Sequence, residues 1–82
     1  MKSAMQREPV DSSTFASVGY DTIALLLELE FRSGEVYQYL GTPHSIHREL
    51  MAAESKGRFF NQNIRDRFPH IHLLRDDSSK TI

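Results

Sequence analysis

The chain has 82 residues, room for one domain with one modest core, and a deep substrate cavity is not expected at this size. It contains no cysteine, which excludes a disulfide framework, thiolate catalysis and thiolate zinc sites, and suits a reducing compartment. The net charge of −1 excludes the whole-protein basic field of a strong nucleic-acid binder, although most of the basic residues fall in the second half of the chain.

Residues 1–9 are polar, end in Pro9 and carry no periodicity, so they read as a flexible arm without a signal-peptide core. The longest apolar run, Ile23–Leu27, is far too short to cross a bilayer, and a soluble cytoplasmic protein with no membrane role is expected. The folded domain is expected over residues 10–69, with 70–82 as a C-terminal extension or tail in which the segment HIHLL could add a small extra strand.

The segment STFASVGYD predicts a first strand, with a bulge near Ala16 because Phe15 and Val18 are three residues apart rather than two. Leu27, Leu29 and Phe31 alternate with Glu28, Glu30 and Arg32, the pattern of a half-buried second strand. Ser33-Gly34 supplies a turn and EVYQYL a third strand. Then Thr42 and Pro43 open a helix with Ile46, Leu50 and Ala53 on one face, and Gly57 is expected to close it. A second helix carries Phe60, Ile64 and Phe68 on one face and ends at Pro69. The expected fold is α+β, a three-stranded antiparallel β-meander followed by two α-helices packed on one face. Its expected core is Leu27, Leu29, Phe31, Ile46, Leu50, Ala53, Phe60, Ile64 and Phe68.

The order and spacing of several short motifs carry a resemblance. VDSSTFASVGYD, FRSGEVYQY, Thr42-Pro43 and LMAAESKGRFFNQNIRDRFP together resemble the KTSC domain family, a domain named after the C-terminal end of some lysyl-tRNA synthetases and found also as a stand-alone bacterial protein. The resemblance runs from about Val10 to Pro69. It places the family's central Tyr-x-Tyr on Tyr37 and Tyr39 and its helical end on Ser55, Gly57, Phe60, Asn61, Ile64 and Arg65. It implies a small domain for which RNA binding has been suggested from the synthetase association. The chain departs from the family pattern at TIAL, Thr22–Leu25, where a polar turn is usual.

The orientation of Tyr37 and Tyr39 depends on the hairpin loop. A two-residue loop, Ser33-Gly34, puts both rings on the outer face with Glu28 and Glu30. A three-residue loop, Arg32-Ser33-Gly34, sets Leu29 opposite Tyr37 and Leu27 opposite Tyr39 and turns both rings inward. The second register is favoured because the first buries the Gln38 amide among leucines.

Four groups of residues offer chemistry. Lys56, Arg58, Arg65 and Arg67 cluster around the helix junction and suit phosphate, with Tyr37 and Tyr39 as aromatic neighbours; the plainer reading is a solvated face, with Arg65 as a structural strut. Ser12, Ser13, Tyr20, Ser55 and Asn61 could converge in a polar groove, but show no nucleophile, base and orienter, so no catalysis is expected and cap or turn roles explain the short side chains. His44 with His47 and His70 with His72 are spaced for shared faces, yet nothing completes a metal set, and neither metal nor cofactor is expected. Ile23 and Leu25 form a small apolar patch. The leading expectation is a non-catalytic binding module with RNA as ligand through the basic helix junction; the alternative is a protein-interaction or self-association module working through Ile23, Leu25 and the acidic sheet.

Overall fold

The computed structural model describes residues 5–73. The elements in chain order are β1 (Glu8–Pro9), β2 (Phe15–Asp21), β3 (Leu26–Phe31), β4 (Val36–Leu40), α1 (His44–Ala52), α2 (Lys56–Asn63) and β5 (His70–Leu73). The strands form one antiparallel sheet in the order β1-β2-β3-β4-β5. The α+β class holds, and the three-stranded meander is its centre, but the sheet has five strands rather than three. The two additional strands come from the stretches read as arm and tail. Both are edge strands of two and four residues, too short for a periodic signal. Residues 1–4 of the arm and 74–82 of the tail lie outside the described residues.

The hairpin between β3 and β4 takes the three-residue loop. Gly34 has φ 97°, its N–H donates to Phe31 O at 2.9 Å, and Phe31 N–H donates to Glu35 O at 2.9 Å. A residue with a side chain adopts that φ only at a cost, so Gly34 selects the loop. Leu29 therefore pairs with Tyr37 and Leu27 with Tyr39, and both rings face the helices as the inward register requires. The expected bulge in β2 is present, between Phe15 and Ser17.

The core joins Phe15, Val18, Leu27, Leu29 and Tyr39 of the sheet to Leu50, Phe60 and Ile64 of the helical segment. Phe31, Ile46 and Phe68, expected inside, are half-buried against it, Tyr39 is inside as the favoured register placed it, and Phe15 and Val18 join the core beyond the expected set.

Both helices depart from their expected limits. Pro43, whose side chain has no acceptor, occupies the N-cap of α1, and the Thr42 hydroxyl turns inward instead and donates to Tyr39 O at 3.0 Å. α1 ends at Ala52 with Ala53 as C-cap, so Gly57 does not close it. Gly57 instead lies in α2, which Ser55 caps by accepting from Arg58 N–H at 3.2 Å. α2 stops at Asn63, short of Phe68; Arg65 N–H then reaches back to Phe60 O at 2.9 Å, one residue further than an α-helical bond.

On the sheet face away from the helices, Glu28 is fully buried rather than solvated. Arg7 Nη1 donates to Glu28 Oε2 at 2.5 Å and Gln38 Nε2 donates to Glu28 Oε1 at 2.8 Å. The segment from Met5 to Arg7 crosses this face over Gly19, where a side chain would lie 2.8 Å from Gln6 O. A buried carboxylate that loses its cation is strongly destabilised. Arg7→Ala is expected to lower unfolding free energy by about 2–4 kcal/mol, read as a drop in the urea midpoint, and Arg7→Ala combined with Glu28→Gln should recover part of that loss.

Candidate functional site

An open groove of about 580 Å³ runs beside the junction of the helices, lined by Thr14, Phe31, Ser55, Gly57, Arg58, Phe60, Asn61 and Arg65. The groove exists because α2 begins close against the loop that precedes β2. Gly57 makes this approach possible, since a Cβ there would sit 2.3 Å from Thr14 Oγ1. Ser12 fixes that loop by accepting from the N–H groups of Thr14 and Phe15 at 3.0 and 3.1 Å. Arg32 ties the hairpin to the same loop, with Nε donating to Ser12 O at 3.0 Å and its backbone N–H to Thr14 O at 2.9 Å.

Of the basic cluster, Arg58 and Arg65 line the groove, and both are exposed. Neither they nor Arg67 makes an ion pair with a carboxylate among the described residues. Arg65 reaches the groove from the turn after α2, because the helix expected to run to Pro69 stops at Asn63. Lys56 lies at the start of α2, where its ammonium donates to Ala53 O at 3.2 Å and satisfies the end of α1.

The polar set divides. Ser55 and Asn61 line the groove; Ser12 does local turn work and Ser13 is exposed. Tyr20 is elsewhere, donating to Thr42 O at 2.6 Å and stacking on His47 at 4.7 Å and on His44 at 5.7 Å. Ile23 is 94% exposed and Leu25 41%, in a turn where Asp21 Oδ1 accepts from the N–H groups of Ile23 and Ala24 and Leu25 takes φ 55°.

Tyr37 and Tyr39 stand next to the groove through shared rings. Phe31 meets Tyr37 at 5.7 Å and Phe60 meets Tyr39 at 5.5 Å, both edge to face. Burial raises the Tyr39 hydroxyl above its usual pKa, with Tyr37 adding to the rise, Arg65 opposing it and Asp66 adding again, so it stays a hydrogen-bond donor at neutral pH. Thr14, Phe31, Gly57 and Phe60 were not assigned to the groove from sequence. Each looked like core, turn or cap material, and only the packing of α2 on the loop brings them together.

The two histidine pairs belong to different regions. Among the described residues no group of three or more His, Asp or Glu side chains is placed to hold a metal ion. His47 is half-buried, with its Nδ1 buried and unpartnered among the described residues. Desolvation lowers its pKa, His44 lowers it further, and Glu8 opposes.

The family model of the KTSC domain matches residues 11–68, which cover the groove and both tyrosines. The chain belongs to the KTSC domain family. The crystal structure of a KTSC domain protein from Yersinia pestis superimposes with a TM-score of 0.83 at 46% identity, covering 87% of this chain and all of that one. A protein of Tsukamurella paurometabola is 39% identical over 80% of this chain and 98% of its own length. A lysine–tRNA ligase of Trichormus variabilis is 37% identical over 66% of this chain, a match that spans 10% of the ligase. The KTSC match ends before β5, so the last strand lies outside the matched segment.

Gly57→Ala is expected to destabilise the domain by about 1–3 kcal/mol, because the clash with the short Thr14 side chain outweighs alanine's helix propensity, and thermal melting would measure it. For His47, the folded pKa lies below the unfolded value of about 6.5, so the unfolded chain binds more protons there. Its stabilising contribution is present above that pH and is lost as pH falls through it. Urea midpoints at pH 7.5 and 5.5 are expected to differ less in His47→Gln than in the parent chain.

Proposed function

We propose that this KTSC domain is a non-catalytic module that binds RNA, with Arg58 and Arg65 taking the phosphate backbone in the groove. The observation that carries the reading is the pair of exposed arginines, without carboxylate partners among the described residues, on one open groove. Guanidinium groups present paired donors that match phosphate oxygens, their contacts release the counterions condensed on the RNA, and no carboxylate pair among the described residues has to be broken first. Asn61 and the Ser55 hydroxyl add neutral polar contacts in the same groove, and the rings of Phe31 and Phe60 form its apolar wall. The related segment in lysine–tRNA ligases supports the choice of RNA among polyanions, since those proteins act on an RNA substrate.

A second reading, a protein-interaction or self-association surface, draws on Ile23, which is 94% exposed, and on Leu25 beside it. The two readings differ in salt dependence. Phosphate binding weakens steeply with salt, whereas apolar association does not.

Arg58→Ala with Arg65→Ala is expected to lower affinity for single-stranded RNA at least tenfold in a fluorescence titration. It should also reduce the slope of log affinity against log salt by about 1.4, roughly 0.7 for each single-strand phosphate contact removed. The melting temperature should stay near that of the parent chain. Unchanged affinity would defeat the reading, and a large fall in melting temperature would make Arg65 a structural strut.

A further inference from the structure

β5 adds rings to the inner face of the sheet. His72 pairs with Tyr37 and His70 with Tyr39, so all four side chains lie on the helix side of the sheet, at the edge that the helices leave uncovered. The rings are in contact: His72 stacks on Tyr37 at 4.5 Å with planes 15° apart, and His70 lies 5.6 Å from Tyr37 and 5.4 Å from Tyr39. Glu35 hydrogen-bonds His72 Nε2 at the edge of that ring.

Tyr37 covers only one face of the His72 imidazole. The side chain is still 47% exposed, and β5 is the last strand of the sheet, so no strand flanks the other face among the described residues. The row is continuous with the groove, because Phe31 both lines the groove and meets Tyr37, at 5.7 Å. A half-exposed ring in a row that continues from a groove holding two arginines without carboxylate partners among the described residues answers to a ligand that alternates flat rings with anions.

We infer that His72, supported by Tyr37 and His70, is a stacking shelf for an unpaired base of single-stranded RNA whose phosphates lie in the groove at Arg58 and Arg65. The inference rests on the RNA reading above and adds to it a second subsite, outside the segment matched by the family, and a preference for unpaired bases. Bases in a duplex are stacked on their neighbours and present no free face, so the shelf selects single strands. Stacking on one ring tolerates any base, so little sequence preference is expected. The nearby carboxylates, Glu35 and Asp66, favour placing the base rather than the phosphate at the shelf.

The test compares fluorescence anisotropy of the full chain with a labelled oligouridylate and with the same ribose-phosphate oligomer lacking bases. The parent chain is expected to bind oligouridylate roughly tenfold more tightly than the abasic oligomer, one stacked base being enough for that ratio. His72→Ala should remove the preference and leave abasic binding unchanged. His72→Phe keeps a flat ring and should keep the preference, which guards against loss of β5 in the alanine variant. Equal binding of the two oligomers by the parent chain would overturn the shelf and leave the phosphate groove standing. Failure to bind either would overturn both. A preference intact in His72→Ala, or lost in His72→Phe as fully as in His72→Ala, would also overturn the shelf.

Discussion

The left-handed conformation of Gly34 sets the register on which both faces of the sheet depend. With the three-residue loop, every residue of β4 takes its partner in β3, and β5 in turn takes its register from β4. A slip of one residue would turn Tyr37 and Tyr39 outward and bring Gln38 among the leucines. It would also separate Gln38 from Glu28, whose carboxylate it helps to satisfy. One loop thus decides the inward tyrosines next to the groove on one side and the buried polar cluster on the other.

The two faces are finished by different chemistry. The helix side is closed by aliphatic and aromatic packing, with Phe60 in edge contact with Phe15, Phe31 and Tyr39. The opposite side holds Glu28, Glu30 and Gln38, and is closed by polar pairing: Arg7 and Gln38 on Glu28, and Ser17 donating to Glu30 at 2.7 Å. Buried charge does not compete with apolar packing as a source of stability, but an unpaired buried carboxylate is costly enough to hold the N-terminal segment in place. The segment from Met5 to Pro9 is therefore part of the sheet's architecture, joined to it by β1 and by Arg7.

How much of this could be read from the sequence follows from the range of each interaction. The alternation of Leu27 to Arg32, the turn at Gly34 and the apolar face of the first helix are local signals, and they gave the central meander, its register and both helices. Of the edge strands, HIHLL was legible only as one of two options, an extension or a small strand, and Glu8–Pro9 was not legible, because both owe their conformation to neighbours far along the chain. The burial of Glu28 was hidden for the same reason: a glutamate in an alternating strand reads as solvated unless Arg7, twenty-one residues away, is known to cover it. Gly57 invited a capping assignment because glycine is common at helix ends, whereas its actual constraint is Thr14, a contact across the fold. In the candidate site, Arg58, Arg65, Ser55 and Asn61 could be named from their types and proximity in sequence. Phe31, Phe60 and Thr14 could not, since a groove wall is a property of packing.

The position of β5 connects these constraints to function. A sheet of three strands with two helices on one face would leave β4 as its edge, with Tyr37 half-covered and its backbone unpaired. Adding β5 satisfies that edge and places two imidazoles beside the two tyrosines in the same pairing register. Both consequences come from one spacing, because residues two apart on a strand share a face. HIH in the last strand meets YQY in its neighbour, ring against ring, with Ile71 and Gln38 turned to the opposite side. The imidazoles are exposed where the tyrosines are covered, so β5 moves the aromatic surface from the core toward solvent. A strand recruited to protect an edge thereby extends the wall of a basic groove into an accessible row of rings.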